Sequence, residues 1–321
     1  MELGIVTDSL AHLPFEEMLD VVAGLGISAV EFPTGGWSSA PHLDLDELLE
    51  DGAARARFVD AVSDRGLHIS ALNANGNQLH PVIGEKIDSL VRRTVRLAEL
   101  LEVPTVVLMS GLPAGAPGDT TPNWVTTSWP PETRAILDYQ WNEVAIPYWK
   151  DLAAFGADHG VRFAVEMHGD QLVYNAATLL RLREAVGDVV GANLDPSHPM
   201  WMGADPRALA RALPGAIHNV HAKDSRIQRH IADVNGLLDT QGPEQAATRA
   251  WNYVTLGLGH EGGRQFWGQF LSDMRQSGYD GVLSIEHEDV VLDAVEGVAA
   301  TVDLLKQVMP VAPPSWKPQD I

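Results

Sequence analysis

The sequence predicts a single (β/α)8 barrel, and three observations support this fold class. Apolar runs of strand length, rich in β-branched residues, recur eight times along the 321 residues. Each run is followed by a longer segment with helical periodicity, which is typical of βα units and a parallel sheet. The first run ends at Thr7–Leu10 without a glycine-rich fingerprint, which disfavours a doubly wound dinucleotide-binding fold.

The predicted elements alternate strictly along the chain. Asp44 or Asp46 is expected to begin the second helix, and Gly66 and Gly160 follow the second and fourth helices, as N-cap and C-cap preferences predict. Strands are expected at 2–7, 28–32, 67–73, 104–109, 161–168, 189–195, 215–222 and 281–287. Helices are expected at 14–25, 45–65, 84–101, 139–159, 173–186, 205–212, 264–277 and 291–308.

Two long connections interrupt this alternation. Residues 111–139 follow the fourth strand and contain Trp124 and Trp129, and residues 224–263 follow the seventh and contain Trp251. Both leave the C-terminal face of the barrel, where active sites of this fold lie, so we expect lids or subunit contacts. Alternatively, the tryptophans only pack the loops down. A catalytic domain over 1–310 and an extended arm over 311–321 complete the predicted organisation.

Composition excludes several classes of partner and site. The chain has 43 Asp and Glu against 22 Lys and Arg, a formal charge of −21, so nucleic acid and anionic membranes are not expected partners. It has no cysteine, so a metal ion must be held by oxygen and imidazole ligands. No basic leader and no run of about 18 apolar residues is present, which predicts a cytoplasmic protein.

The fifth strand ends in two polar residues on one face. Because side chains alternate along a strand, Glu166 and His168 share a face while Phe163, Val165 and Met167 take the other. A buried carboxylate needs a cation or hydrogen-bond donors to offset its desolvation. Glu166 is therefore expected to have a charged partner.

The same alternation places a possible metal ligand at the end of three later strands, namely Asp195, His221 and Glu286. The C-terminal ends of barrel strands converge, so these residues can meet Glu166 at one mouth. Singly, each has a structural explanation, such as a helix cap for Asp195 or a core histidine for His221. Jointly they favour a divalent metal site, with Mn²⁺ preferred and Mg²⁺, Co²⁺ or Zn²⁺ as alternatives.

Four motifs then resemble the xylose-isomerase-like barrels, a family of sugar phosphate isomerases and epimerases, over almost the whole chain. They are Val165–His168, Asp195–His198, His221–Asp224 and Ser284–Asp289. The resemblance implies that Glu166, Asp195, His221 and Glu286 hold the metal, that the two glutamates act as acid and base, and that His198 binds substrate.

The chain departs from the epimerases of that family at two places. They carry a substrate-binding arginine after the metal histidine, and the nearest candidate here, Arg226, has a different spacing. The insert that continues to His260 is also longer. In these respects the chain is similar to a branch with 3-oxo-sugar isomerases, inosose dehydratase relatives and the larger subunit of C-glycoside deglycosidases.

These features predict an enzyme that removes a proton beside the carbonyl of a keto sugar or 3-oxo-glycoside through an enediolate. Return of the proton to the other face gives epimerisation, its return to the neighbouring carbon gives isomerisation, and expulsion of a β-substituent gives elimination. Glu166, Glu286 and His168 are the predicted catalytic residues. His198, Lys223, Arg226 and His260 are the predicted substrate contacts, although Lys223 could instead form a salt bridge to Asp224 or Glu286.

Alternatives from other classes stay open at this point. The chain could be the catalytic subunit of a C-glycoside deglycosidase, an inosose-type dehydratase or a sugar-binding subunit without activity. It is expected to form an oligomer and could require a different small subunit. An apurinic-site endonuclease is a remote alternative, because it needs a basic DNA track. The loops after strands one to four supply sugar contacts or loop braces at Glu31, Trp37, Asn73, Asn75, Asn77, His80 and Ser110.

Overall fold

The computed structural model describes residues 1–313 and Ser315 and contains ten strands. They are β1 (Glu2–Val6), β2 (Ala29–Pro33), β3 (His68–Asn73), β4 (Thr105–Met109), β5 (Arg162–Glu166), β6 (Val190–Leu194), β7 (Ile217–Ala222), β8 (Asp224–Ile227), β9 (Trp251–Val254) and β10 (Val282–Ile285). Eight of them form a closed parallel barrel, in which β1 pairs with both β2 and β10. The predicted (β/α)8 barrel and its eight strands are confirmed.

Twelve α-helices surround or cap the barrel in the described part of the chain. They are α1 (Phe15–Gly24), α2 (Leu45–Glu50), α3 (Gly52–Ser63), α4 (Gly84–Leu100), α5 (Glu132–Asp138), α6 (Ile146–Asp158), α7 (Ala176–Val186), α8 (Ser197–Trp201), α9 (Pro206–Ala212), α10 (Arg229–Asn235), α11 (Gly263–Gln276) and α12 (Ala294–Val308). A π-helical segment, Tyr139–Ala145, joins α5 to α6, and short 3₁₀ segments lie at Thr7–Leu10 and Pro243–Gln245.

The predicted helix over 45–65 is two helices. Asp51 leaves helical geometry, with φ −107° and ψ 104°, and its carboxylate accepts the backbone N–H of Ala53. An aspartate that caps a new helix in this way competes with continuation of the preceding one. Asp44 caps α2 in the same manner by accepting the N–H groups of Asp46 and Glu47.

The two faces of the barrel strands differ as the alternation predicts. Phe163 and Val165 of β5 are fully buried in the large core between strands and helices. Ala164, between them, instead lies inside the barrel with Ala71 and Val107. These small side chains fill the barrel centre, and the longer polar side chains therefore occupy its C-terminal mouth.

The long connection after β7 folds into an antiparallel hairpin of β8 and β9, which the sequence did not predict. Its register pairs Ser225 with Tyr253, and Trp251 stacks on Trp201 of α8 with ring centroids 4.7 Å apart. The Asp224 carboxylate accepts the N–H groups of the returning loop, which fixes the hairpin beside the mouth.

Two further expectations concern the chain ends and membranes. Residues 311–313 and Ser315 are exposed and have no helix or strand, while the rest of the predicted arm, including Trp316, lies outside the described residues. Within the described ranges, no helix is both long enough and apolar enough to cross a bilayer.

Candidate metal centre at the barrel mouth

The four predicted metal ligands converge at the C-terminal mouth. Glu166 ends β5, Asp195 follows β6, His221 lies near the end of β7 and Glu286 follows β10. Ligand atoms of Asp195, His221 and Glu286 all lie within 4.8 Å of one another, and Asp195 forms a second such group with Glu166 and His198. His221 Nδ1 lies 2.9 Å from Glu286 Oε2 and 3.5 Å from Glu166 Oε2.

Three buried polar atoms at this centre make no aligned hydrogen bond with any described group. They are Asp195 Oδ2, His221 Nδ1 and Glu286 Oε2. Buried polar atoms are rarely left without partners, so this cluster requires an explanation. Two carboxylate oxygens and an imidazole nitrogen that face one another form a suitable donor set for a divalent cation. The residues therefore fit a bound metal ion.

Glu31, at the centre of β2, supports His221 from below. Its carboxylate is fully buried and lies 2.9 Å from His221 Nε2, which donates to Oε1. Asn73 and Asn219 donate to the same carboxylate at 2.9 and 3.0 Å. Such a bond fixes the orientation of a ligating imidazole and directs its other nitrogen at the metal. Burial lowers the pKa of His221, but Glu31 and Glu286 raise it well above its usual value, so positive charge is favoured here.

Glu166 is buried and accepts several hydrogen bonds. Asn75 and Asn193 each donate to Oε2 at 3.1 Å, and His198 Nε2 lies 2.9 Å from Oε1. Burial raises the pKa of Glu166, but His198 and His221 outweigh it and hold the pKa well below the usual value. Glu166 is thus an ionised acceptor at neutral pH.

His198, in α8, lies between Glu166 and Asp195, with Nε2 3.1 Å from Asp195 Oδ2. Burial lowers the pKa of His198, but the two carboxylates raise it to about 9. Its other nitrogen, Nδ1, is 3.0 Å from the Tyr253 hydroxyl and 3.4 Å from Trp201 Nε1. The hairpin therefore contributes directly to the position of this imidazole.

Lys223 reaches the centre from the end of β7. Its buried ammonium lies 3.2 Å from Glu286 Oε1 and 2.9 Å from Glu288 Oε2, and 4.2 Å from the centroid of the Tyr253 ring. Burial lowers the pKa of Lys223, but the two glutamates raise it well above its usual value. Of the two alternative partners, the structure shows Glu286 and not Asp224.

His168 faces the same mouth but contacts no carboxylate directly. Its Nδ1–H donates to the Gly169 carbonyl at 2.5 Å, and its ring lies 4.1 Å from that of His198. Burial, with the positive charge of His198, lowers the pKa of His168 to about 4. The ring is therefore neutral at physiological pH, and its Nε2 is an acceptor.

A cavity of about 260 Å³ is lined by Glu166, His168, His198, Lys223 and Glu286 of this centre. Its walls also include residues from the loops after β1 and β2 and from the segment after β10. Its polar and aromatic lining comprises Asp8, Ser9, Trp37, Ser38, Asn73, Asn75, Glu166, His168, His198, Lys223, Tyr253, Glu286, His287 and Glu288.

The structure does not bring Arg226 and His260 to this cavity. The Arg226 guanidinium donates to the Leu258 carbonyl at 2.8 and 3.0 Å, and the His260 ring stacks on Phe266 at 3.8 Å. The reason is the alternation of β8, which directs Arg226 away from the face of the hairpin that carries Tyr253. In this structure the two predicted substrate contacts instead brace the outer loop.

Sequence reasoning missed three contributors to the centre. Asn193 and Asn219 lie on the same strand faces as Asp195 and His221, so the alternation rule contained the signal for both. Glu31 was assigned to sugar contacts or loop bracing, whereas it supports His221. Of the other loop residues so assigned, Asn77 and Ser110 hold loop backbone in place.

Comparison with known proteins places this geometry in a family. The family model described as xylose isomerase-like TIM barrel matches residues 19–308. The "Uncharacterized protein YfiH" of Bacillus subtilis (strain 168) is 50% identical over 313 residues, which covers 96% of this chain and 99% of that protein.

Solved structures share the fold at low sequence identity. The probable 3-DHS dehydratase AsbF of Bacillus anthracis aligns with a TM-score of 0.69 and 17% identity, over 95% of this chain and 99% of that one. An L-ribulose 3-epimerase aligns with a TM-score of 0.64 and 16% identity, over 96% and 94% of the two chains. These neighbours are a dehydratase and a sugar epimerase, and at such identities their likeness shows the fold alone.

Proposed function

The chain belongs to the xylose isomerase-like TIM barrel family, and from that premise we propose that it is a divalent-metal-dependent enzyme acting on a keto sugar or 3-oxo-glycoside. The reaction is removal of a proton from the carbon beside the carbonyl group. The observation that carries the proposal is the convergence, beside the ionised Glu166, of buried atoms of Asp195, His221 and Glu286 that make no aligned hydrogen bond with a described group.

Glu166, Asp195, His221 and Glu286 would hold the ion, and Mn²⁺ suits this oxygen-rich set, with Mg²⁺, Co²⁺ or Zn²⁺ also compatible. Such an ion supplies a Lewis acid that acidifies the carbon beside a carbonyl group. Glu31 contributes by holding the His221 ring at a fixed angle.

The two glutamates are suited to move the proton. Burial raises the pKa of Glu286, but Lys223 and His221 lower it to about 2, so Glu286, like Glu166, is ionised at neutral pH. Both can therefore accept a proton from carbon, and they reach the centre from different strands. One glutamate would remove the proton. The other, after taking up a proton from the adjoining Lys223 or His198, would deliver it to the opposite face and so change the configuration of the carbon.

A β-elimination is the second candidate outcome, and Lys223 favours it. Expulsion of a hydroxyl or glycosidic oxygen requires a proton donor at the leaving atom. The Lys223 ammonium lines the cavity and contacts Glu286, the proposed base or acid. His198, whose pKa is about 9, is a second cationic donor in the same cavity.

The lining favours a substrate without phosphate. Asp8, Glu286 and Glu288 face the cavity, and the ammonium of Lys223 is already paired with two of these carboxylates. A phosphate group would meet repulsion from the carboxylates, and the two cationic side chains of the described lining, Lys223 and His198, are already paired with glutamates. Hydroxyl groups, in contrast, can donate to every one of these oxygens.

The test follows proton exchange from a panel of keto and 3-oxo sugars into deuterated solvent by NMR, with metal content measured on the same samples. We expect exchange to require a bound divalent ion and to disappear with EDTA. Glu286→Gln should lose both metal and exchange, whereas the matched Glu288→Gln should keep the metal. Exchange indifferent to EDTA in a protein that copurifies without metal would overturn the proposal.

A further inference from the structure

One side of the cavity, formed by the segments after β1 and β2, takes no part in the proposed chemistry. Asp8, in the 3₁₀ segment after β1, belongs to this side, and its Oδ1 is buried without an aligned hydrogen bond to any described group. The Ser38 hydroxyl, in the loop after β2, interacts with the same carboxylate while accepting the Ala40 N–H at 2.8 Å. A carboxylate that lines a cavity can accept hydrogen bonds from the hydroxyl groups of a ligand.

Trp37 lies at the rim on this side of the cavity. It lines the cavity, yet 58% of its surface is exposed, an unusual position for the largest apolar side chain. Its backbone is nevertheless fixed, because its N–H donates to the Asn75 carbonyl at 2.9 Å. Gly36 has φ +79°, and a Cβ there would lie 2.2 Å from the Asn75 oxygen. The backbone beneath the indole is therefore fixed, and the exposed indole forms a platform at the rim.

The platform is connected to the catalytic centre. Asn75, whose backbone holds Trp37, also donates from its side chain to Glu166 Oε2 at 3.1 Å. A ring seated on Trp37 would consequently lie in a fixed relation to the proposed base. A tryptophan on a fixed backbone has only two side-chain torsions to order on binding, which limits the entropic cost of the contact.

We propose that Asp8, Ser38 and Trp37 form a second carbohydrate subsite, so that the substrate is a glycoside rather than a free monosaccharide. A pyranose ring has hydroxyl groups at its edge and an apolar C–H face, which match the carboxylate and the indole respectively. The reacting sugar occupies the end with Glu166 and Glu286. Because Trp37 extends into solvent, the ring that stacks on it is the second ring.

This inference rests on the proposed function for the identity of the reacting end, but its test does not require turnover. Calorimetry with the metal-loaded protein would compare cellobiose, maltose and lactose with the corresponding methyl glycosides. We expect at least one disaccharide to bind about tenfold tighter than its methyl glycoside, the factor that one aromatic contact can supply.

Variants separate the platform from a general effect of an exposed tryptophan. Trp37→Ala should bind the disaccharide only as tightly as the methyl glycoside, whereas Trp37→Phe should keep most of the preference for the disaccharide. Trp129 is 73% exposed and does not line the cavity, so Trp129→Ala is the matched control and should bind as the wild type does. Asp8→Asn should weaken disaccharide binding with the metal content unchanged.

The outcomes distinguish the two proposals. If no sugar exchanges a proton but Trp37→Ala still abolishes the preference for disaccharides, the proposed reaction fails and the subsite stands. If proton exchange occurs and every disaccharide binds no tighter than its methyl glycoside, the subsite fails and the reaction stands. Equal losses in Trp37→Ala and Trp129→Ala would also overturn the subsite.

Discussion

The two halves of the barrel mouth differ in chemistry. The half built by β5, β6, β7 and β10 presents the charged cluster of Glu166, Asp195, His221 and Glu286 from strand ends. The half built by β1 to β4 presents mainly amides, hydroxyls and Trp37 from loops. The proposed metal ligands lie at the ends of rigid strands, whereas the groups proposed to recognise the substrate lie mainly on loops, whose sequence can vary more readily.

The most damaging change should fall in the charged half. Asp195→Ala removes the one residue common to both candidate ligand groups, so we expect loss of bound metal and a fall in turnover of about a thousandfold or more. Metal analysis of the purified variant, with circular dichroism to verify folding, measures this. Ser38→Ala, in the other half, should keep the metal. Loss of the metal in this variant would show that the two halves of the mouth do not have separate roles.

Glu31 belongs by position to the loop-rich half but acts on the charged one. Glu31→Gln preserves shape while removing the charge that faces His221 Nε2, and changes to such supporting groups cost about 10- to 100-fold in metal affinity. Competition with a chromogenic chelator would measure the affinity. An unchanged metal affinity would show that packing alone holds His221 and that the two halves of the mouth are independent.

The two halves of the barrel mouth also differ in how much of each could be predicted from the sequence. Strand alternation located Glu166, Asp195, His221 and Glu286, because a period of two and the convergence of barrel strands depend only on local backbone geometry. The eight strands were found for the same reason.

The rest depended on contacts between distant segments. Nothing local indicates that residues 224–227 pair with 251–254 or that this pairing brings Tyr253 to His198. The positions of Arg226 and His260 outside the cavity could not be predicted, because their loop has no periodicity to orient them. The split of the helix over 45–65 arose from Asp51, whose capping geometry competes with helical propensity.

Substitution of Tyr253 should have an intermediate effect on turnover, since this residue connects the hairpin to the charged half of the mouth. Tyr253→Phe keeps the ring beneath Lys223 but removes the hydroxyl 3.0 Å from His198 Nδ1. We expect kcat to fall about tenfold, with metal content unchanged, because His198 loses the bond that fixes its orientation. Tyr174→Phe, which alters a hydroxyl outside the cavity, is the control, and an equal loss there would contradict the assignment.

The smallest effects should come from Arg226 and His260. The Arg226 guanidinium is committed to the Leu258 carbonyl and the His260 ring to Phe266, so neither Arg226→Ala nor His260→Ala removes a group that faces the cavity. We expect kcat/KM to change by less than about twofold, the usual range for surface substitutions. A tenfold rise in KM for Arg226→Ala alone would instead show that the hairpin moves over the mouth when substrate binds. Recognition would then be shared between the loops after β1 and β2 and the hairpin, and the division between the two halves would hold only for the free protein.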